Sequence, residues 1–237
     1  MSSKQVQGCV MVDFANKYIG GGSLGKGAVQ EEIRFMACPE LIASQLFMEC
    51  MDDNEAIIIS GYKQYSKHSG YAQSFSYDGN YNQPVEGENT MCCIDATTFR
   101  NKVRRIQFTE RYILRELNKA LLGFTGQSSI YQQECDKPIS SGNWGCGAFC
   151  GDPHIKSLLQ WMAASIVQTP VLHYFIFDDP RLVRYYFEIH VCLKLWTLLL
   201  KEHAITTSHN NVLASSVQKT IVCFTMTSHS GLFWLLN

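Results

Sequence analysis

Apolar runs of strand length alternate with helical patterns along most of this chain, and no other feature constrains its fold as strongly. The run Ala56–Ile59 is typical of a buried strand, because it is short and rich in β-branched residues. After Thr109, apolar residues recur with the spacing of one helix face. Such alternation predicts an α/β layered domain around a buried sheet. The predicted strands are 6–14, 55–60, 72–77, 91–96 and 171–177, and the predicted helices are 39–51, 109–122, a helix capped by Asp152 that runs to about 168, and one starting at Asp179-Pro180.

Loops are predicted where Gly, Ser and Asn accumulate, at residues 60–70, 79–89 and 125–142. The pattern fades after residue 209, where Ser and Thr are scattered among apolar residues without a clear period. We therefore predict one main domain over residues 1–200 and an atypical C-terminal tail over residues 201–237.

Composition excludes several classes of function. The formal net charge is −1, which predicts neither direct DNA binding nor attraction to a membrane surface. Ten cysteines are present in a long chain, and two of them adjoin each other inside an apolar run, which favours reduced thiols over disulfides. No CxxC pair occurs, so the sequence predicts no bound metal.

A glycine-rich segment at residues 20–27 follows the first predicted strand and is compatible with three interpretations. Its Gly-x-Gly-x-x-Gly spacing matches the dinucleotide fingerprint, but that site needs an acid at the end of a second strand, and Glu40 lies at a helix start instead. The segment also matches Gly-x4-Gly-Lys, but a P-loop needs a hydroxyl after Lys26 to hold magnesium, and Gly27 stands there.

The third interpretation uses the whole stretch, from Asp13 at the strand end through the triple glycine 20–22 to Gln30-Glu31-Glu32. This stretch resembles the signature of the poly(ADP-ribose) glycohydrolases, in which a triple glycine and a short spacer precede Gln-Glu-Glu. Three further motifs also fit that family, and together the motifs cover about residues 8–195: Gly70-Tyr71-Ala72, the run from Gly142 to Phe149, and Tyr174–Phe177. The resemblance implies a macrodomain-like mixed sheet flanked by helices in three layers, α/β/α.

The resemblance also implies a glycosidase that hydrolyses the ribose–ribose O-glycosidic bonds of poly(ADP-ribose) and releases ADP-ribose, with no cofactor. Hydrolysis of such a bond needs a proton on the leaving oxygen, and two adjacent carboxyls in a partly desolvated place repel each other, so at least one should have a raised pKa. By resemblance, Glu32 is the general acid and later the base, Glu31 orders the ribose hydroxyls, and Asp13 supports the loop from behind. An isolated Glu-Glu pair would more often simply open a solvated helical turn.

The resemblance implies a set of substrate-binding residues on three segments. Asn16 and Gln30 contact the sugar, Tyr71 lies over the ligand, and Phe177 stacks on adenine. The amides of the second glycine loop bind the diphosphate, because successive N–H groups in such a loop form an anion-binding nest. That loop contributes Asn143, Trp144, Gly145, Cys146, Gly147, Ala148 and Phe149.

The chain departs from the family pattern at its ends, since only about ten residues precede Val12-Asp13. We therefore expect a form shortened at the N-terminus. The alternatives to an active hydrolase are a catalytically inactive truncated isoform and an ADP-ribose-binding module. The resemblance further implies a monomer that acts on poly(ADP-ribose) and ADP-ribosylated proteins in the nucleus and cytoplasm, in the DNA damage response.

Overall fold

The computed structural model describes residues 8–85, 89–100, 104–126, 137–177, 179 and 182, and the backbone of a strand at Ile221–Thr225. Its strands are β1 (Val10–Ala15), β2 (Ile57–Ser60), β3 (Gln64–Ser69), β4 (Ser76–Val85), β5 (Thr90–Asp95), β6 (Ile139–Gly142), β7 (Val171–Phe175) and β8 (Ile221–Thr225). Its α-helices are α1 (Gln30–Ala37), α2 (Glu110–Thr125) and α3 (Pro153–Ile166), and short 3-10 helices span Pro39–Leu46, Ala72–Ser74 and Arg104–Phe108.

Six strands form the main sheet in the order β2-β5-β1-β6-β7-β8. Strand β2 is antiparallel to β5, and every other neighbouring pair is parallel. The register of β1 on β5 places Asp13 opposite Cys93 and Ala15 opposite Asp95. Because the strands β5, β1, β6 and β7 run the same way, their carboxyl ends meet at one edge of the sheet.

Both faces of the sheet are covered by helices, which confirms the predicted three layers. Strand β5 is buried along its whole length, and its side chains alternate between two hydrophobic cores. Cys92 and Ile94 join the core beneath α2 and α3, whereas Met91 and Cys93 join the core beneath α1. A single-residue shift of register would exchange these two sets.

The long helices were predicted well because their signals are local. Helix α2 begins directly after Thr109, as its periodicity indicates. Helix α3 follows Asp152, whose Oδ1 accepts the backbone N–H groups of His154 at 3.0 Å and Ile155 at 3.2 Å. The predicted cap is thus confirmed.

Several predictions of local structure were wrong. Residues 64–69 and 76–85, assigned mostly to loops, form the two-stranded antiparallel sheet β3-β4. This hairpin is largely exposed, so apolar and polar residues do not alternate along it as they do in a half-buried strand. The sequence therefore gave no sign of these two strands. The predicted strand at 72–77 begins only at Ser76, after a 3-10 turn, and the predicted helix at 39–51 is a 3-10 helix that ends at Leu46.

Strand β6 lies inside the segment predicted to be a loop, and strand β8 comes from the segment predicted to be a tail. Strand β6 is buried on both faces, but its Ser-Ser-Gly sequence is typical of a loop, so the strand was not predicted. The division of the chain near residue 200 stays a prediction. The helix predicted from Asp179 lies largely outside the described residues.

Within the part of the chain that the structure describes, no helix is both long and apolar enough to cross a bilayer. The same residues contain no group of three or more His, Cys, Asp or Glu side chains placed to hold a metal ion.

Candidate active site

The candidate site lies at the edge where the parallel strands end. The glycine-rich segment leaves β1 there and leads into α1, while a second glycine loop leaves β6 and leads into α3. In open α/β sheets, ligands bind beyond the carboxyl ends of the strands. The topology therefore brings together the two segments that the sequence singled out.

Glu31 holds the glycine-rich segment from within the protein. Its side chain is buried, and its two carboxylate oxygens accept the backbone N–H groups of Gly20 at 2.6 Å and Asn16 at 2.9 Å. Gly20 has a φ of +83°, which favours glycine, and a Cβ there would collide with Gln45 and Phe35. The carboxyl group thus fixes the path of the chain directly after β1.

Glu32 makes the second pair of bonds to the segment. Its Oε1 accepts the N–H of Gly22 at 3.0 Å, and its Oε2 accepts the N–H of Val29 at 3.1 Å. A Cβ at Gly27 would lie 2.5 Å from Glu32 Cγ, so only glycine allows the segment to approach this close. Glu31 and Glu32 begin α1, but they are not the solvated turn that an isolated Glu-Glu pair would suggest.

Asp13 lies behind Glu31 on β1 and is fully buried. Among the described residues, neither of its carboxylate oxygens has a partner at hydrogen-bonding geometry, although the Cys93 thiol opposite it acts as a weak donor. An unpaired buried carboxylate is costly, so this group favours its neutral form.

Burial raises the pKa of both inner carboxyls, Asp13 and Glu31. Burial raises the pKa of Asp13 to about 7. Burial, followed by the charge of Asp13, raises the pKa of Glu31 to about 9, against the opposing effect of the backbone donors of Asn16 and Gly20. Because the two groups interact, they titrate as a pair, and the pair keeps a proton at neutral pH. The raised pKa expected for the acidic cluster therefore falls on Asp13 and Glu31.

The side chains of Gln30 and Asn16 form hydrogen bonds with the protein's own backbone. The side-chain oxygen of Gln30 accepts the N–H of Phe14 at 2.9 Å, and its amide nitrogen donates to the carbonyl of Val12 at 3.0 Å. The side-chain oxygen of Asn16 accepts the N–H of Tyr18 at 3.0 Å. Both residues lie at the site, and their contacts with a sugar stay predictions.

Tyr71 lies beside the glycine-rich segment, to which its loop is tied by a bond from the Ala72 N–H to the Ala28 carbonyl of 2.8 Å. Its ring is 53% exposed, as a wall of an open site requires. Partial burial raises the pKa of Tyr71, and the backbone amide of Gln30 opposes that effect. Tyr71 therefore stands over the start of α1.

The second glycine loop is closed by a 2.9 Å bond from the Gly151 N–H to the Gly145 carbonyl. At its tip, Gly147 and Ala148 are exposed, and the N–H groups of Gly147, Ala148 and Phe149 donate to no acceptor among the described residues. The thiol of Cys146 contacts the carbonyl of Trp144 at 3.4 Å. Three successive backbone N–H groups of this kind can form an anion-binding nest.

Trp144 is a core residue, so its predicted contact with substrate has no support in the structure. It is fully buried, and its indole N–H donates to the carbonyl of Ile94 at 2.9 Å. Its backbone N–H donates to the carbonyl of Gly142 at 2.7 Å. Trp144 thus lies in the loop after β6 with its side chain in the core, and its contact with substrate stays a prediction.

Replacing Trp144 with Phe tests that assignment. The Trp144→Phe variant leaves the Ile94 carbonyl without its donor in the core, so we expect the free energy of unfolding to fall by about 1–3 kcal/mol. Chemical denaturation measures this loss. An unchanged midpoint of unfolding would contradict the core assignment.

Asn143 and Phe177 connect the ends of β6 and β7. Asn143 donates to the Ile176 carbonyl at 3.2 Å and accepts from the Tyr174 hydroxyl at 3.2 Å. Phe177 is 46% exposed and has a φ of +50°, and its ring lies 2.9 Å from where a Cβ at Gly142 would stand. The strained backbone presents an aromatic face at the edge of the site.

Sequence reasoning missed a cluster of buried charges beneath the second glycine loop. Lys156 and Lys119 are buried and pair with Glu116 and Asp95, respectively. The sequence offers one indication of this cluster: charged residues of α2 and α3 fall on helix faces that are otherwise apolar.

The fold and site define a macrodomain-type domain with a carboxylate pair on a glycine loop. Residues 2–184 match the family model described as poly(ADP-ribose) glycohydrolase, Macro domain fold. The chain therefore belongs to the poly(ADP-ribose) glycohydrolase family, as its motifs predicted.

Relatives of the chain include poly(ADP-ribose) glycohydrolase 1 of Arabidopsis thaliana, which is 36% identical over 73% of this chain and 44% of that protein. Poly(ADP-ribose) glycohydrolase 1 of Caenorhabditis elegans is also 36% identical, over 73% of this chain and 24% of that protein. The chain thus spans less than half the length of these relatives. A crystal structure of poly(ADP-ribose) glycohydrolase from Deinococcus radiodurans with ADP-ribose has a TM-score of 0.48 and 15% identity, over 75% of this chain and 73% of that one.

Proposed function

We propose that this chain is a poly(ADP-ribose) glycohydrolase, which cleaves the ribose–ribose O-glycosidic bond and releases ADP-ribose. The observation that carries the proposal is the Glu31-Glu32 pair, held against a glycine loop by four backbone N–H bonds. Family membership supplies the class of substrate. The proposal needs no metal or cofactor, because carboxyl groups alone perform glycoside hydrolysis.

Glu32 fits the role of general acid best. It is the least buried of the three carboxyls, at 7% exposure against 3% for Glu31 and 0% for Asp13, so it is the one that a ligand on the loop can reach. Its proton passes to the ribose oxygen that leaves as the glycosidic bond breaks and oxocarbenium character develops. The carboxylate formed then removes a proton from the water that attacks the anomeric carbon.

Glu31 and Asp13 shape the loop on which the sugar lies. We propose that Glu31 orders the ribose hydroxyls while it anchors Asn16 and Gly20, and that Asp13, buried behind Glu31, supports the loop.

The other end of the nucleotide is proposed to bind at the second glycine loop. The free amides of Gly147, Ala148 and Phe149 suit a diphosphate, because backbone N–H groups bind anions without needing a charged side chain. Phe177 supplies a half-exposed aromatic face for adenine, and Tyr71 supplies one over the riboses.

Release of ADP-ribose from purified poly(ADP-ribose) by the folded chain tests this function. Calorimetry with ADP-ribose, run on the same preparation, separates catalysis from binding. Turnover establishes the glycohydrolase. Binding without turnover identifies an ADP-ribose-binding module or inactive isoform instead, and a folded chain that does neither contradicts both ideas.

A methyl group at Gly27 should damage the reaction without removing any reacting group. In Gly27→Ala the new Cβ would stand 2.5 Å from Glu32 Cγ, so the carboxyl must move away from its position on the loop. We expect kcat to fall by about 100-fold, since a misplacement of about 1 Å can cost that much. Gly126→Ala is the matched control, because it adds the same methyl group at the end of α2, where φ is −60° and the nearest neighbour is the Ile58 side chain at 3.2 Å. It should keep full activity.

We also propose the cellular setting that the substrate class implies. The chain would act as a monomer on poly(ADP-ribose) and ADP-ribosylated proteins in the nucleus and cytoplasm, within the DNA damage response and without binding DNA directly. Imaging of the tagged protein before and after DNA damage tests its location, and sedimentation tests its oligomeric state.

A further inference from the structure

Lys156 is a buried cation on the first turns of α3, directly beneath the second glycine loop. Its side chain is 1% exposed. Its Nζ contacts the Glu116 carboxylate of α2 and lies 3.9 Å from the centre of the Trp144 ring. The lysine therefore connects α2 and α3 to the residue that begins the loop.

Gly145 and Gly151, whose backbones bond to close the loop, both pack against the Lys156 side chain. A Cβ at Gly145 would lie 3.3 Å from Lys156 Nζ, and a Cβ at Gly151 would lie 3.1 Å from Lys156 Cε. The position of the lysine side chain is thus coupled to the position of the loop that carries the free amides.

A cation at this position is costly for stability alone. Burial and the charge of Arg115 lower the pKa of Lys156 well below its usual range, and the charge of Asp95 opposes them. The contact with the Glu116 carboxylate also favours the charged form. Replacing a buried ion pair by apolar side chains of similar volume often leaves stability unchanged or improves it. Packing alone therefore does not explain why a lysine is buried here. An anion bound on the loop above it would explain the buried charge.

Lys156 is the member of a larger charge cluster that lies against the loop. The cluster pairs Arg115, Lys119 and Lys156 with Asp95, Glu116 and the exposed Asp53. Of these three cations, Lys156 is the one whose side chain lies against Gly145 and Gly151. In a low-dielectric interior, a charge in this position acts over several ångströms on a ligand charge.

We propose that Lys156 is a positioning residue for the diphosphate: it fixes the Gly145–Gly151 loop and stabilises by its charge the anion bound on the amides above it. The inference rests on the proposed function, because it assumes that a diphosphate lies on this loop. Lys156 touches no reacting atom, so it contributes to binding rather than to the chemical step.

Lys156→Met removes the charge and keeps an unbranched side chain that is one atom shorter. We expect the Kd for ADP-ribose to rise about tenfold, the Kd for adenosine, which has no diphosphate, to stay unchanged, and KM to rise with little change in kcat. Calorimetry with both ligands and steady-state kinetics measure these effects. The double variant Lys156→Met with Glu116→Gln removes both charges, and it gives the same comparison if the single variant does not fold.

Lys119→Met is the matched control, since Lys119 is as buried as Lys156 and belongs to the same cluster, but its Nζ bonds to the carbonyls of Asp52 and Glu55 and its side chain does not lie against Gly145 or Gly151. We expect it to lower the melting temperature and to leave the Kd for ADP-ribose within about twofold. An unchanged ADP-ribose Kd in Lys156→Met, or an equal loss of ADP-ribose and adenosine, overturns the inference alone. A wild-type chain that binds no ADP-ribose overturns the proposed function as well.

Discussion

Glu32→Gln is expected to reduce the release of ADP-ribose from poly(ADP-ribose) by about 10³-fold or more, because the glutamine amide cannot donate the proton that the leaving oxygen needs. Binding should survive the change. Glutamine has nearly the same shape, and its carbonyl oxygen can still accept one of the two N–H groups, from Gly22 and Val29, that Glu32 accepts. The Kd for ADP-ribose should therefore stay within about threefold, corresponding to less than 1 kcal/mol.

Two further Glu→Gln variants make this result specific. Glu55 also accepts a backbone N–H, from Asp52 at 2.8 Å, but it is exposed and lies away from the site, so Glu55→Gln should keep full activity. Glu31→Gln changes the bonds to Asn16 and Gly20 that fix the loop, and it should reduce both activity and ADP-ribose binding. Turnover that persists in Glu32→Gln would falsify the assignment of Glu32 as the general acid. Glu31 would then be the next candidate for that role.

The candidate catalytic segment could be predicted from the sequence because its parts lie close together in the chain. Asp13 ends an apolar strand, the glycines follow at once, and Glu31-Glu32 begin the next helix. Chain connectivity alone brings these groups to one strand end, and the glycines show where backbone must approach a side chain. The structure adds that the carboxylates bond to the loop themselves, which no spacing rule indicates.

Features that depend on long-range packing could not be predicted. Trp144 is 50 residues from the Ile94 carbonyl that fixes it in the core, so the burial of its side chain could not be predicted from its glycine neighbours. Lys156 and Glu116 lie on two helices whose facing sides are set only by tertiary packing. Strand β8 pairs with β7 across about 50 residues of chain, and β3-β4 has no buried face whose alternation could mark it.

The raised pKa values of the inner carboxyls predict that Asp13→Asn stabilises the fold at alkaline pH. A carboxyl whose pKa is higher in the folded than in the unfolded state binds more protons when folded, so the free energy of unfolding falls as pH rises between the two values. For Asp13 this interval runs from about 4 to about 7, and for Glu31 it continues to about 9. At about 1.4 kcal/mol per pKa unit, ionisation of Asp13 alone lowers the free energy of unfolding by about 4 kcal/mol.

Denaturant unfolding of the wild type and Asp13→Asn between pH 4.5 and pH 9 measures this effect. We expect the two curves to diverge as pH rises, with the variant more stable by roughly 2–4 kcal/mol at pH 8, because the neutral amide carries no buried charge and also relieves Glu31. The difference between the curves cancels the titration of histidines and surface groups. Asp152→Asn is the matched control, since Asp152 is a partly exposed helix cap where asparagine serves equally well, and its curve should run parallel to the wild type. Parallel curves for Asp13→Asn would show instead that Asp13 has an ordinary carboxyl pKa in the folded protein.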